Sequence, residues 1–248
     1  MSGHSKWSTI KRKKGAADAK RSKLFSKIVK EIQVAVKEGG PDEDVNPRLR
    51  LAIQNSKGVN MPKDNIARAI NKASSDGANF QEVSFEGYGP GGVAVFVECL
   101  TDNNNRTVSV IRSIFTKRSG TLGTNGSLSF LFDRKGVFAI PKGEIDPDEF
   151  ELELIDAGAE DIEDEGDVYI ITTALEDFGN VQKKLDGLKL EPENAELQRI
   201  PNDTKELEPE AAMRFLRMVE DFEEDDDVQS VYHNLKMTDE LINFLENN

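Results

Sequence analysis

The chain is short of the residues that carry most protein chemistry. Its 248 residues hold one cysteine, Cys99, two histidines, His4 and His233, and one tryptophan, Trp7. A lone cysteine excludes an intramolecular disulfide framework and fits a reducing compartment. With so few cysteine and histidine side chains, no four-ligand zinc site of the usual kind can be assembled within one chain. No apolar run approaches the roughly 20 residues of a membrane span. The basic start is followed by no apolar stretch, unlike a secretory signal, and it lacks the Arg-rich amphipathic pattern of a mitochondrial presequence. The expectation is a cytoplasmic protein with no membrane partner. Hydrophobic residues make up 37% and aromatics 7% of the chain, which favours several small cores over one large one.

What the chain does have is charge, unevenly spread. The formal net charge is −14. The first 38 residues nevertheless carry 11 Lys/Arg against 3 acids, a balance of +8, so residues 39–248 sum to −22. A basic end on an acidic body points to a polyanion, most simply nucleic acid, met at one end of the molecule. The body would be repelled by the same polymer, so binding should be oriented and sensitive to salt.

Residues 1–15 read as an arm rich in lysine and poor in apolar side chains. From Ala16 to about Lys37, Leu24, Phe25, Ile28, Val29, Ile32 and Val36 recur at helical spacing, with Lys20, Lys23, Lys27 and Lys30 on roughly the opposite face. Gly39-Gly40-Pro41 stops that helix. Asn46-Pro47 reads as the cap and first position of a second helix, ended by Gly58. A third follows Asn60-Met61-Pro62. Beyond Ser74–Gly77 the pattern changes. Strands are expected at 82–88 and 92–100, a helix at 104–118, and a strand at Leu128–Phe132. Residues 136–200 follow the order βαββαβ, the ferredoxin-like arrangement. A helix from Pro209, a strand at Val228–His233 and a closing helix complete the chain. The expected fold is therefore α+β and multidomain. It comprises an arm and three-helix bundle over 1–75, a discontinuous α/β domain of 78–134 plus 204–248, and a ferredoxin-like domain of 135–203 inserted into it.

Several runs carry a resemblance. Gly3-His4-Ser5-Lys6-Trp7, Asp18-Ala19-Lys20-Arg21, Asn46-Pro47-Arg48-Leu49-Arg50 and Asn60-Met61-Pro62-Lys63-Asp64-Asn65-Ile66 resemble the first third of the YebC family. Glu86-Gly87-Tyr88-Gly89-Pro90-Gly91-Gly92-Val93-Ala94, Glu98-Cys99-Leu100-Thr101-Asp102-Asn103 and Asn105-Arg106-Thr107 are similar to its centre. The likeness runs along essentially the whole chain. It implies a helical N-terminal domain with two α/β domains, one inserted in the other. It also implies a cytoplasmic, DNA-binding, probable transcriptional regulatory protein. Mitochondrial relatives act as translational activators and bacterial ones have been tied to the ribosome, so a translation factor bound to ribosomal RNA is the alternative reading.

The candidate nucleic-acid contacts begin in the arm. Lys6, Lys11, Arg12, Lys13 and Lys14 could neutralise several phosphates, and Trp7 could stack on an exposed base, or else anchor the arm. Lys20, Arg21, Lys23, Lys27 and Lys30 offer cations along the first helix, to phosphate or simply to solvent. Phosphate contacts position a protein without reading sequence, and no helix-turn-helix with base-reading side chains is evident. Tyr88 and Gly89, in a glycine-rich turn with no phosphate-loop ending, and Arg106 and Lys117, at the two ends of the 104–118 helix, are possible secondary contacts. Asp102 or Asn103 should cap that helix. The run Glu223–Asp227 reads as a solvated charge cluster, with a Mg²⁺ site or a guard against wrong nucleic-acid contacts as the alternatives. His233 and Cys99 lie in expected buried strands with no partner set for nucleophilic catalysis. No catalytic residue, metal site or cofactor is assigned, and the expectation is a binding protein rather than an enzyme.

Overall fold

The computed structural model describes residues 17–76, 79–143 and 146–247. Among them the chain forms eight α-helices and two four-stranded sheets. It divides into two compact units. Of the described residues, one takes in 17–27, 79–133 and 200–247, the other 28–76, 134–143 and 146–199. Helix α1 (Ala17–Gly39) contributes its first half to the former and its second half to the latter.

In the first unit, β1 (Gln81–Tyr88) and β2 (Ala94–Thr101) form an antiparallel pair, β3 (Thr121–Leu122) extends it beside β1, and β8 (Val228–His233) closes the other edge. The order β3-β1-β2-β8 makes β2 a central strand. That position explains why its sequence is apolar on both faces. Val95, Val97 and Cys99 pack with α4 (Asn104–Lys117) and α7 (Pro209–Glu224), which supply Ile111, Phe115, Phe215, Val219 and Phe222. Ala94 and Phe96 face the opposite way, onto Leu128, Phe132 and Tyr232. The two-residue period of the strand thus builds two cores from one apolar run. The last helix, α8 (Asp239–Asn247), seals the first core with Leu241 and Leu245.

In the second unit, β4 (Phe132–Pro141), α5 (Pro147–Asp156), β5 (Ala159–Asp164), β6 (Val168–Ala174), α6 (Phe178–Gly187) and β7 (Asn194–Pro201) follow one another, with sheet order β5-β6-β4-β7. That is the ferredoxin-like arrangement. Phe138, Ile140, Ile171 and Ala195 of the sheet bury against Phe150, Leu154, Val181 and Leu185 of the two helices. Helix α2 (Pro47–Gly58) belongs to the same unit. The Asn55 side-chain amide both donates to the Ala195 carbonyl and accepts from its N–H, each at 2.9 Å, which satisfies backbone on an edge strand. A Cβ on Gly58 would stand 1.8 Å from the Glu193 carbonyl oxygen, so this helix end can approach β7 only as glycine. Asn46 caps α2 by accepting from the Leu49 N–H at 3.0 Å, and its amide donates to the Ala35 and Gly40 carbonyls. One buried side chain therefore ends α1 and starts α2. Helix α3 (Lys63–Asp76) completes the unit.

Three details depart from the sequence pattern. Leu24, expected on the apolar face of α1, is 42% exposed. Leu128–Phe132 is not a strand: Ser129–Leu131 is a 3-10 turn, and the strand begins at Phe132. The cause is Glu86, a buried carboxylate that accepts the Gly126 and Leu128 N–H groups at 2.7 and 2.5 Å and so holds the chain in a turn there. Helix α7 runs on to Glu224, and Asp227 is buried, so the acidic run is not uniformly solvated.

Candidate nucleic-acid interface

Lys6, Trp7, Lys11, Arg12, Lys13 and Lys14 lie outside the described residues, as does the side chain of Lys20. Arg21 is exposed, its guanidinium 5.4 Å above the Phe25 ring. Lys23 and Lys27 are half-buried, and both ammonium groups are engaged within the first unit: Lys23 donates to the Glu224 carbonyl, and Lys27 to the Gln229 carbonyl at 3.1 Å. The Glu224 carbonyl lies at the end of α7, where helix-terminal oxygens favour a cation, and the Gln229 carbonyl lies in β8. Lys30 is half-buried.

The glycine-rich turn is closed by its own backbone. Gly89 N–H donates to the Val93 carbonyl at 2.8 Å and Gly92 N–H to the Gly89 carbonyl at 2.9 Å. Gly91 adopts φ 74°, and a Cβ there would meet Leu207 at 2.7 Å, so the position is closed to side chains on both grounds. Tyr88 remains 43% exposed and pairs across the sheet with Thr121.

Helix α4 is held at both ends by acids, one from α7 and one from the turn that follows it. Asn103 is its cap, accepting from the Arg106 N–H at 3.1 Å. Asp227 is the hub beneath that end. Its Oδ2 accepts from Arg106 Nη2 at 2.6 Å, Thr107 Oγ1 at 2.9 Å and Thr101 Oγ1 at 3.1 Å. Arg106 also donates to Asp102 at 2.8 Å. The hydrogen bond to Asp227, then that to Asp102, pushes the Arg106 guanidinium further toward its charged form. At the other end Arg118 grips Asp221 with a two-pronged pair, Nε to Oδ2 and Nη2 to Oδ1, both 2.8 Å. The Arg118 hydrogen bond holds the Asp221 carboxyl below its ordinary value, desolvation opposes this, and Lys117 adds to the lowering. Lys117 Nζ stands 3.4 Å from Asp221 and is 67% exposed.

Between these ends the outer face of α4 presents Ser109, Arg112, Ser113, Thr116 and Lys117. Arg112 makes no ion pair or side-chain hydrogen bond among the described residues. The sequence reading missed Arg112 and took Asp227 for one of a solvated run. The signal for the first was a charge pattern: Asn103 to Phe132 contains four cations and no acid, in a chain where 46 of 248 residues are Asp or Glu. The signal for the second was its place one residue before a buried strand. Among the described residues no three His, Cys, Asp or Glu side chains are placed to hold a metal ion. No helix among them is long and apolar enough to cross a membrane.

Known proteins resemble this chain along nearly all its length. A protein of Amoebophilus asiaticus bearing the name probable transcriptional regulatory protein is 55% identical over 239 residues, 95% of this chain and 98% of that one. A Geobacter protein of the same description is 51% identical over 242 residues, 97% of this chain and 98% of its own. The crystal structure of Aq1575, a conserved hypothetical protein from Aquifex aeolicus, superposes with a TM-score of 0.81 at 43% identity, covering 90% of this chain and 93% of that one. Residues 5–76 match the TACO1/YebC N-terminal domain, and residues 80–235 match the second and third domain of the same family. The chain belongs to the TACO1/YebC family.

Proposed function

We propose that the protein is a cytoplasmic, non-enzymatic regulator of gene expression that binds nucleic acid through its basic N-terminal segment. The observation that carries this is the charge split: +8 in the first 38 residues against −22 in the rest. A polyanion meets the basic segment and is repelled elsewhere, so the acidic units set its orientation. Lys6, Trp7 and Lys11–Lys14 supply the principal grip, and Arg21, exposed on α1, extends it. The name shared by the Amoebophilus and Geobacter relatives favours DNA and transcription. A second reading, ribosomal RNA and translation, is favoured by the helices themselves. Among the described residues none presents the pattern of Asn, Gln and Arg that reads base edges in a major groove, whereas RNA is recognised largely by shape and backbone.

The deciding experiment crosslinks the protein to nucleic acid in growing cells and sequences what is attached. Reads on promoter DNA support the transcriptional reading, and reads on ribosomal RNA the translational one. Replacing Lys11, Arg12, Lys13 and Lys14 together by Glu should abolish crosslinking and raise the Kd for duplex DNA by about 100-fold or more at 0.1 M salt, with the circular dichroism spectrum unchanged. Retained affinity would remove the arm from the interface.

A further inference from the structure

The exposed face of α4 carries cations, hydroxyls and an amide but no acid, in a chain that is acidic as a whole. Asn105, Ser109, Arg112, Ser113, Thr116 and Lys117 recur at i, i+4, i+7, i+8, i+11 and i+12, which places them on one stripe about 18 Å long. All six are exposed, while Thr107, Ile111, Ile114 and Phe115 face the core. No acid lies in the helix, not even in its first turn, where acids stabilise a helix and are common. The acids that approach α4 come from elsewhere and are already engaged. Asp227 is buried beneath Arg106, and both oxygens of Asp221 are taken by the Arg118 fork. That leaves the Arg112 guanidinium unmatched at the middle of the stripe, with Lys117, 67% exposed and 3.4 Å from Asp221, at one end.

From this we infer that the α4 stripe is a second nucleic-acid contact, taking the sugar-phosphate backbone of an RNA helix. The inference rests on the nucleic-acid reading above and adds to it a site separate from the arm. Arg112 and Lys117 meet phosphate oxygens. The uncharged groups favour RNA over DNA, because a ribose 2′-OH both donates and accepts, as do a hydroxyl and a side-chain amide. Ser109 donates to the Asn105 carbonyl at 2.8 Å and Thr116 to the Arg112 carbonyl at 2.9 Å in the free protein. Each hydroxyl oxygen keeps its lone pairs outward for a 2′-OH, and each can rotate to donate instead. A stripe without an acid also spares the complex the repulsion that the rest of the surface would impose.

The test uses the full chain, a fluorescently labelled 24-base-pair RNA duplex, and a DNA duplex of the same sequence, each titrated from 50 to 300 mM KCl. R112E/K117E should weaken RNA binding by about tenfold or more, and R112Q/K117Q should flatten the slope of log K against log salt by about 1.5 to 2. S109A/S113A should weaken RNA binding about threefold and leave DNA binding unchanged. A benzophenone side chain placed at Ser113 should crosslink to the RNA. Unchanged RNA affinity in R112E/K117E, with the arm variant still defective, would overturn the α4 site and leave the nucleic-acid reading intact. Equal losses on the DNA duplex would overturn the assignment to RNA. No binding of wild type to either duplex, or to ribosomes, would overturn both.

Discussion

The two units handle their acids in opposite ways. In the first, Asp227 and Glu86 are buried and Asp221 nearly so, and each carboxylate is surrounded by donors. In the second, the acids stay at the surface. Glu160 pairs with Lys135, Asp164 with Lys142 and Glu153 with Lys184, and each of these acids is between 39% and 58% exposed. A net charge of −14 therefore hides two populations: a few carboxylates that hold backbone and helices in place, and many that only keep the surface charged. Only the first kind should matter much for folding, because an unpaired group costs heavily when water cannot reach it.

The sharpest way to break that contrast is at Asp227. D227A leaves Arg106, Thr101 and Thr107 without the acceptor they share. Its cost should be about 2–4 kcal/mol, read as a lower urea midpoint for the first unit. D226A, one residue earlier and exposed, should change stability by less than about 0.5 kcal/mol. Equal effects from the two would show the acidic run to be a uniform solvated cluster after all.

Glu86 comes next. E86Q keeps the shape but replaces one carboxylate oxygen with an NH2 group facing a backbone N–H. It should cost about 1–3 kcal/mol and speed hydrogen exchange at Gly126 and Leu128 by more than tenfold. Exchange rates left as in wild type would mean that the turn, not the carboxylate, holds these amides.

How much of this was legible beforehand follows from the range of each interaction. Asn46-Pro47, the helix stop at Gly39-Gly40 and the βαββαβ rhythm were readable, because caps, breakers and periodicity act within a few residues. Leu128–Phe132 misled, because its apolar run suits a strand and the carboxylate that turns it lies some 40 residues away in β1. The lysines of α1 show the same limit in the candidate site. Their spacing was plain, but nothing local says that Lys23 and Lys27 reach carbonyls about 200 residues later. Asp227 likewise looked like its neighbours, since burial is set by the fold and not by the run of charge around it.

The smallest expected effects lie at Asp221 and Asp164, and they measure the contrast where it is finest. Both carboxyls sit below their ordinary value of 3.8, Asp221 chiefly through the Arg118 hydrogen bond and Asp164 chiefly through that from Lys142. A depressed folded-state pKa contributes stability that is present above the unfolded value and lost as pH falls through the folded one. Both wild-type contributions should therefore disappear as pH drops below about 4. D221N should flatten the acid limb of the stability curve measurably, because that carboxylate is only 18% exposed and lightly screened. D164N should flatten it little, and not at all in 1 M KCl, because Asp164 is 58% exposed and water and salt screen its pair. Thermal melts from pH 2.5 to 6, with and without salt, separate the two. A D164N effect as large and as salt-resistant as that of D221N would erase the distinction between the acids of the two units.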